Sequence, residues 1–226
     1  MIRRPFYLKQ LEQWIDKPLV KILTGIRRSG KSTILLLLKK VLLEKGITEN
    51  SIIALNFESL TTEHLKNVTS LYAYLAGQIT KDKKFYILLD EIQEVQAWEK
   101  VVNSLLVDFN VDVYLTGSNA HLLSSELATY LAGRYIEIPV YTLSFKEYLS
   151  FNDAYQTSIS TIKESFITYL RKGGFPLVHT ANYDEQATYK VIRDIYASVL
   201  LRDTIQRYKI RDIELLERVI RFAFDN

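Results

Sequence analysis

The chain has 226 residues, 48% of them hydrophobic, enough to bury one sizeable core and a smaller satellite in one or two domains. Its 29 Lys and Arg against 26 Asp and Glu leave a net charge of +3, too balanced to support nucleic acid or an anionic membrane as partner. The absence of cysteine excludes a disulfide framework and thiol chemistry, and His64, His121 and His179 stand at no metal-ligand spacing. No apolar run approaches the length of a membrane span and no leader-like segment follows Arg3 and Arg4, so a cytoplasmic protein is expected.

Phe6 to Ile15 carries apolar residues at near-helical spacing before Pro18, which predicts an amphipathic helix. Leu19 to Thr24 is short, apolar and β-branched and reads as a buried strand, and the Leu- and Lys-rich run from Thr33 to Glu44 reads as a helix closing near Gly46. Between them lies Gly25-Ile26-Arg27-Arg28-Ser29-Gly30-Lys31-Ser32, which fits G-x-x-x-x-G-K-[ST] in the strand, loop and helix context that the motif requires. Backbone N–H groups of such a loop converge with the positive end of the new helix, a cradle for a di- or triphosphate that takes in the whole stretch from Gly25 to Thr33. Lys31 adds a mobile charge toward the phosphates, and the Ser32 hydroxyl is a ligand suited to Mg²⁺.

Ser51 to Phe57 reads as a second strand, with Glu58 beyond it more simply a solvated carboxylate than a site residue. Glu63 to Ile79 has helical periodicity. The continuous apolar run Phe85 to Leu89 ending in Asp90-Glu91 has the pattern of a buried parallel strand that delivers carboxylates at its C-terminal edge. Asp90 is then the candidate metal ligand and Glu91 the candidate that polarises a water. Ala97 to Phe109 is helical, and Val111 to Leu115 a strand followed by Thr116, Ser118 and Asn119, small polar residues placed to sense a γ-phosphate or simply to make a turn.

Ala120 to Leu131 reads as a helix and Tyr135 to Val140 as a fifth strand, with Arg134 just ahead of it. A guanidinium there offers forked donors to a phosphate of its own or a neighbouring subunit. After Pro139 the strand and helix alternation ends, which predicts a boundary between a core at 1–140 and an all-helical part at 141–226. The helical runs are Phe145 to Phe151, Ile159 to Lys172, Tyr183 to Arg207 and Asp212 to Phe224, with a non-helical turn at Gly173-Gly174-Phe175-Pro176. The last helix is apolar-rich and meets Asn226 without a cap, so a further C-terminal region is expected.

Taken in order, several short stretches give the chain a family likeness. They are Arg3-Arg4-Pro5, Thr24 to Ser32, Leu88-Leu89-Asp90-Glu91-Ile92-Gln93 with Trp98, Leu115 to Asn119, Leu131-Ala132-Gly133-Arg134, Thr142 to Phe145 with Glu147-Tyr148, and Gly173 to Pro176. With them the chain resembles the AAA-type ATPases of bacteria and archaea whose core precedes a C-terminal domain of unknown function, and it shares features with signalling and origin-recognition-like ATPases. The resemblance implies an α/β, three-layer P-loop NTPase with a parallel sheet of order 5-1-4-3-2 followed by a helical lid. It implies ATP and Mg²⁺ as cofactors, Glu91 as the catalytic acid residue, Thr116 or Ser118 as a polar sensor, and Arg134 as a candidate arginine finger. It also implies that Pro176, with Phe175, lies near the adenine, and it leaves a homo-oligomer open.

The expected function is therefore Mg²⁺-dependent ATP hydrolysis, with a nucleotide-gated ATP/ADP switch of little turnover as the alternative. Phosphotransfer to a small molecule is disfavoured, because Asp90-Glu91 suits activation of water and no second substrate motif is present. The basic residues Arg27, Arg28, Lys39, Lys40, Lys81, Lys83 and Lys84 are read as solvated faces rather than a nucleic-acid surface.

Overall fold

A computed structural model describes residues 2–117, 131, 133–155, 161–180, 183–197, 205 and 210–225. Five parallel strands form one sheet: β1 (Val20–Thr24), β2 (Ile52–Asn56), β3 (Phe85–Asp90), β4 (Val111–Thr116) and β5 (Tyr135–Pro139), in the order β2-β3-β4-β1-β5. This is the expected order 5-1-4-3-2 read from the other edge. The chain leaves β1 for the sheet edge at β2, returns through β3 and β4, and then passes to the far side of β1. The direction of winding thus reverses at β1, and the crevice beyond the C-terminal ends of β1 and β4 is where an open α/β sheet accepts a ligand.

The central strands β1, β3 and β4 are buried on both faces because helices cover both, which is why they read as apolar runs rather than alternations, while the edge strands β2 and β5 each leave residues exposed. On one face Val20, Ile22, Ile87, Leu89, Val113 and Leu115 pack with Leu71 and Leu75 of α3 (Val68–Gln78) and Trp98, Val102 and Leu105 of α4 (Trp98–Asp108). On the other, Leu23, Tyr86, Leu88, Tyr114 and Ile138 meet Tyr7 and Leu11 of α1 (Pro5–Glu12) and Ile34, Leu38 and Leu42 of α2 (Lys31–Glu44). The helix expected over Glu63 to Ile79 is two elements. A 3-10 helix spans Leu60–Leu65, and α3 starts afresh after Asn67, whose side chain accepts the Ser70 N–H at 2.9 Å and caps the new helix.

Beyond β5 the described elements are all helical: α5 (Phe145–Tyr155), α6 (Ile162–Lys172), α7 (Pro176–Thr180), α8 (Glu185–Ile195) and α9 (Ile213–Asp225). Thr161 and Glu164 form a capping box that sets the start of α6, and Asp184 caps α8. Pro176 opens α7, as suits its fixed φ, so the non-helical turn is Gly173 to Phe175. Gly174 is packed so closely on this half that a Cβ would stand 2.5 Å from the Leu143 carbonyl oxygen. The expected helix at Ala120 to Leu131 and the second half of the expected helix Tyr183 to Arg207 fall largely outside the described residues. None of the helices described is long and apolar enough to cross a membrane.

Candidate functional site

The phosphate loop leaves β1 through Gly25, whose φ of +145° and close approach to the neighbouring strand both demand glycine. A Cβ there would stand 2.2 Å from the Val140 carbonyl oxygen. Arg28 and Gly30 also adopt positive φ, and Gly30, at +99°, is the residue from which α2 starts at Lys31. Ile26, Arg27 and Arg28 are exposed, whereas Ser29 and Lys31 are buried.

Lys31 lies back across the loop. Its Nζ donates to the Gly25 and Ile26 carbonyls at 3.0 and 3.2 Å and stands 3.7 Å from Glu91 Oε1. Burial lowers its pKa, the Glu91 and Asp90 charges oppose that shift, and Arg27 adds to it. Asp90 ends β3 and is buried. Desolvation raises its pKa against the hydrogen bonds from Thr116 and Ser32. The Thr116 hydroxyl at the end of β4 donates to Asp90 Oδ1 at 2.5 Å and accepts the Glu91 N–H at 2.9 Å, so a single side chain ties both acidic residues to the adjacent strand.

Glu91 has φ 53°, the left-handed region that a non-glycine residue adopts only under local constraint, and such residues concentrate at functional sites. Its Oε2 accepts from Gln93 Nε2 at 2.5 Å. Asn56, at the end of β2, donates to Asp90 Oδ2 at 3.1 Å. Asn56 did not stand out in the sequence and Gln93 entered only as a letter of the family likeness, because strand-end and loop amides are common and nothing local names their partner. Glu58 is an exposed residue, and partial desolvation of its carboxyl and the Glu91 charge raise its pKa while Arg27 opposes.

A cavity of about 460 Å³ joins the loop to the helical half. Lys31, Ser32, Thr33 and Glu91 line one end, and Phe151, Tyr155, Pro176, Leu177 and Thr180 the other. Pro176 thus lines the same cavity as the loop, while Phe175 packs with Val178 and Ile195. Ser118 and Asn119 lie outside the described residues.

Arg134 is brought to a different edge. Its carbonyl accepts the Val20 N–H at 2.8 Å, and the β1–β5 register pairs Val20 with Tyr135 and Thr24 with Pro139. A strand length of about 16 Å, at roughly 3.3 Å per residue, therefore separates it from its own phosphate loop.

A family profile described as "AAA domain" matches residues 17–149 of the chain. The chain belongs to this AAA family. A protein of Haemophilus influenzae, titled "Uncharacterized protein", is 40% identical over 227 residues, which cover 100% of this AAA chain and 56% of the relative. A similarly titled protein of Methanocaldococcus jannaschii is 32% identical over 203 residues, 86% of this chain and 44% of the relative. The AAA chain therefore spans about half the length of these relatives. Among solved structures, a Walker-type ATPase of Pyrococcus abyssi superposes with a TM-score of 0.62 at 16% identity over 92% of this chain and 76% of its own. AMPPCP-bound DnaA of Aquifex aeolicus superposes with a TM-score of 0.55 at 15% identity, over 98% and 65% respectively. The RuvB branch-migration motor of Thermotoga maritima gives 0.53 at 16% identity, over 87% and 64%. At these identities the likeness is one of fold, the AAA-type P-loop fold that binds nucleotides.

The residues present fit a nucleotide with a hard cation. Two positive-φ glycines keep the cradle open, Ser29 Oγ is buried there with no hydrogen-bond partner among the described residues, and the Ser32 hydroxyl is near enough to the Asp90 carboxylate to oppose the rise in its pKa.

Proposed function

We propose that the chain is a Mg²⁺-dependent ATPase in which water attacks the γ-phosphate. The observation that carries this reading is the convergence of Lys31, Asp90, Glu91 and Thr116 at one edge of the sheet, with Lys31 Nζ 3.7 Å from Glu91 Oε1 and Thr116 joining the two acids. The loop from Gly25 to Thr33 holds the phosphates, and Lys31 exchanges the loop carbonyls for the β and γ oxygens. Glu91 orients the water and accepts its proton as the oxygen bonds to the γ-phosphorus and the bond to the β–γ bridging oxygen breaks, leaving ADP and inorganic phosphate. Ser32 and Asp90 would hold the Mg²⁺, which supplies charge neutralisation on the phosphate oxygens.

Residues 141–226 act as a lid in this account, with Pro176 and the apolar end of the cavity facing the base. Arg134, a strand length from its own loop, serves the site of a second copy in a homo-oligomer. ATP turnover across a protein concentration series tests both points. A rate per subunit that climbs with concentration and vanishes in Lys31→Ala supports the reading, and phosphate transfer to an acceptor other than water contradicts it. A second reading, a nucleotide-gated switch, draws on the hold that Gln93 and the loop carbonyls already have on Glu91 and Lys31. Tight ADP binding with no turnover at any concentration would favour it.

A further inference from the structure

Arg4 is among the most deeply buried large side chains of the protein, 2% exposed, and no step of the hydrolysis uses it. Pro5 opens α1 and keeps Arg4, at φ −108° and ψ 85°, out of the helical region, while the Tyr7 ring lies under its guanidinium, 4.4 Å from centroid to Cζ. The forked head is spent on two parts of the molecule. Nη1 donates to the Ser29 carbonyl of the phosphate loop at 2.9 Å. Nε and Nη2 grip the two oxygens of Glu147 at 2.8 and 3.1 Å, and Nη2 also reaches the Tyr141 carbonyl at 3.0 Å.

Glu147 is itself held in place. Its Oε2 accepts from the Ser144 N–H and hydroxyl, and Ser144 Oγ accepts the Glu147 N–H, a reciprocal cap at the start of α5. A continuous chain of charge-assisted bonds therefore runs from the cap of α5 through Arg4 to one carbonyl of the loop. In a planar trans peptide the C=O and the following N–H point in opposite directions. A Ser29 carbonyl fixed on Arg4 thus turns the Gly30 N–H away from Arg4 and leaves it for the concave side of the loop.

We propose that Arg4 is a positioning residue that couples the phosphate loop to the docked helical half, so that nucleotide affinity depends on the Arg4–Glu147 pair. This regulation of the site rests on the nucleotide-binding reading above. The Arg4 side chain sets the loop before any phosphate arrives, and release of α5 frees the Ser29 peptide to turn.

The test uses Arg4→Lys, which keeps the charge and loses the fork, and Glu147→Gln, which keeps the shape and loses the charge. Two measurements are made on each folded variant: amide hydrogen exchange of the nucleotide-free protein, and ADP affinity by calorimetry. The coupling predicts faster exchange at residues 26–31 with β3 and β4 unchanged, and ADP binding weaker by about tenfold, the scale of one charge-assisted hydrogen bond. It also predicts that the double variant binds ADP no worse than the poorer single one, since the pair acts as a unit. Loop exchange and ADP affinity equal to the parent's, or a general rise in exchange with affinity unchanged, would overturn the proposal and leave Arg4 a purely structural residue. Should the parent itself bind no ADP, the nucleotide reading fails on its own, and the loop exchange still decides whether Arg4 positions the loop.

Discussion

The Thr116 hydroxyl donates to Asp90 at 2.5 Å while accepting the Glu91 N–H at 2.9 Å, so the end of β4 holds the carboxylate of one acidic residue and the backbone of the next. Thr116→Val keeps the shape and removes the hydroxyl, leaving a buried N–H and a buried carboxylate each short of a partner. The expected cost is about 1–3 kcal/mol, with a fall in ATP turnover beyond what the lost stability explains. Thr116→Ser should retain both. Thermal melting beside turnover for the two variants separates these outcomes.

Gly25 and Gly46 offer a matched comparison, since both have positive φ. A Cβ at Gly25 meets the Val140 backbone oxygen at 2.2 Å, whereas nothing lies within 4 Å of one at Gly46. Gly46→Ala should cost only the left-handed backbone penalty of roughly 1–2 kcal/mol and leave nucleotide binding intact. Gly25→Ala adds a clash with backbone and should cost more while abolishing nucleotide-induced stabilisation. Equal losses in denaturant titrations would mean that the close approach of β5 to the loop is unimportant.

The sheet could be read from the sequence because its central strands β1, β3 and β4 are covered on both faces and show as apolar runs, and because the phosphate-loop motif marks the C-terminal end of β1. The break at Asn67 was hidden, since the apolar periodicity of Leu65, Val68 and Leu71 runs straight across a cap that interrupts the backbone. Arg4 and Glu147 were visible as letters of a family pattern, but their pairing spans 143 positions, and a buried arginine looks in sequence like any solvated one. Arg134 shows the same limit. Its guanidinium made it a candidate, yet only the β1–β5 register says which end of the sheet it occupies.

Two groups in the helical half give the protein an acid limb in two stages. His179 donates from Nε2 to the Gly173 carbonyl at 2.7 Å, and burial holds its pKa below 6.5 although that bond works the other way. A depressed folded pKa means that its contribution is full above the unfolded value and is lost as pH falls through the folded one, so stability declines as pH drops below 6.5. Glu147 is depressed below 4.5: desolvation raises it, but the Arg4 and Ser144 hydrogen bonds lower it by more, and its contribution is lost only as pH falls below that value. His179→Gln should reduce the first stage and Glu147→Gln the second, to which the depressed carboxyls of Asp16 and Glu164 also contribute, as read from midpoints of denaturant unfolding against pH.

Arg134 is exposed at the edge of the sheet remote from its own loop. Arg134→Ala should therefore leave ADP affinity and melting temperature unchanged while removing any dependence of turnover on protein concentration. Restored turnover when Arg134→Ala is mixed with Lys31→Ala is the expected signature of a residue that works across subunits. Weakened ADP binding by dilute Arg134→Ala would be inconsistent with that placement.

The most direct test of the account is single-turnover ATP hydrolysis by Glu91→Gln, because Glu91 is the residue whose strained backbone, contact with Lys31 and tie to Thr116 are assigned to activating water. ATP affinity close to the parent's is expected, with hydrolysis slowed by about 10²-fold or more, the usual scale of a lost general base. Hydrolysis by Glu91→Gln at the parental rate would contradict it.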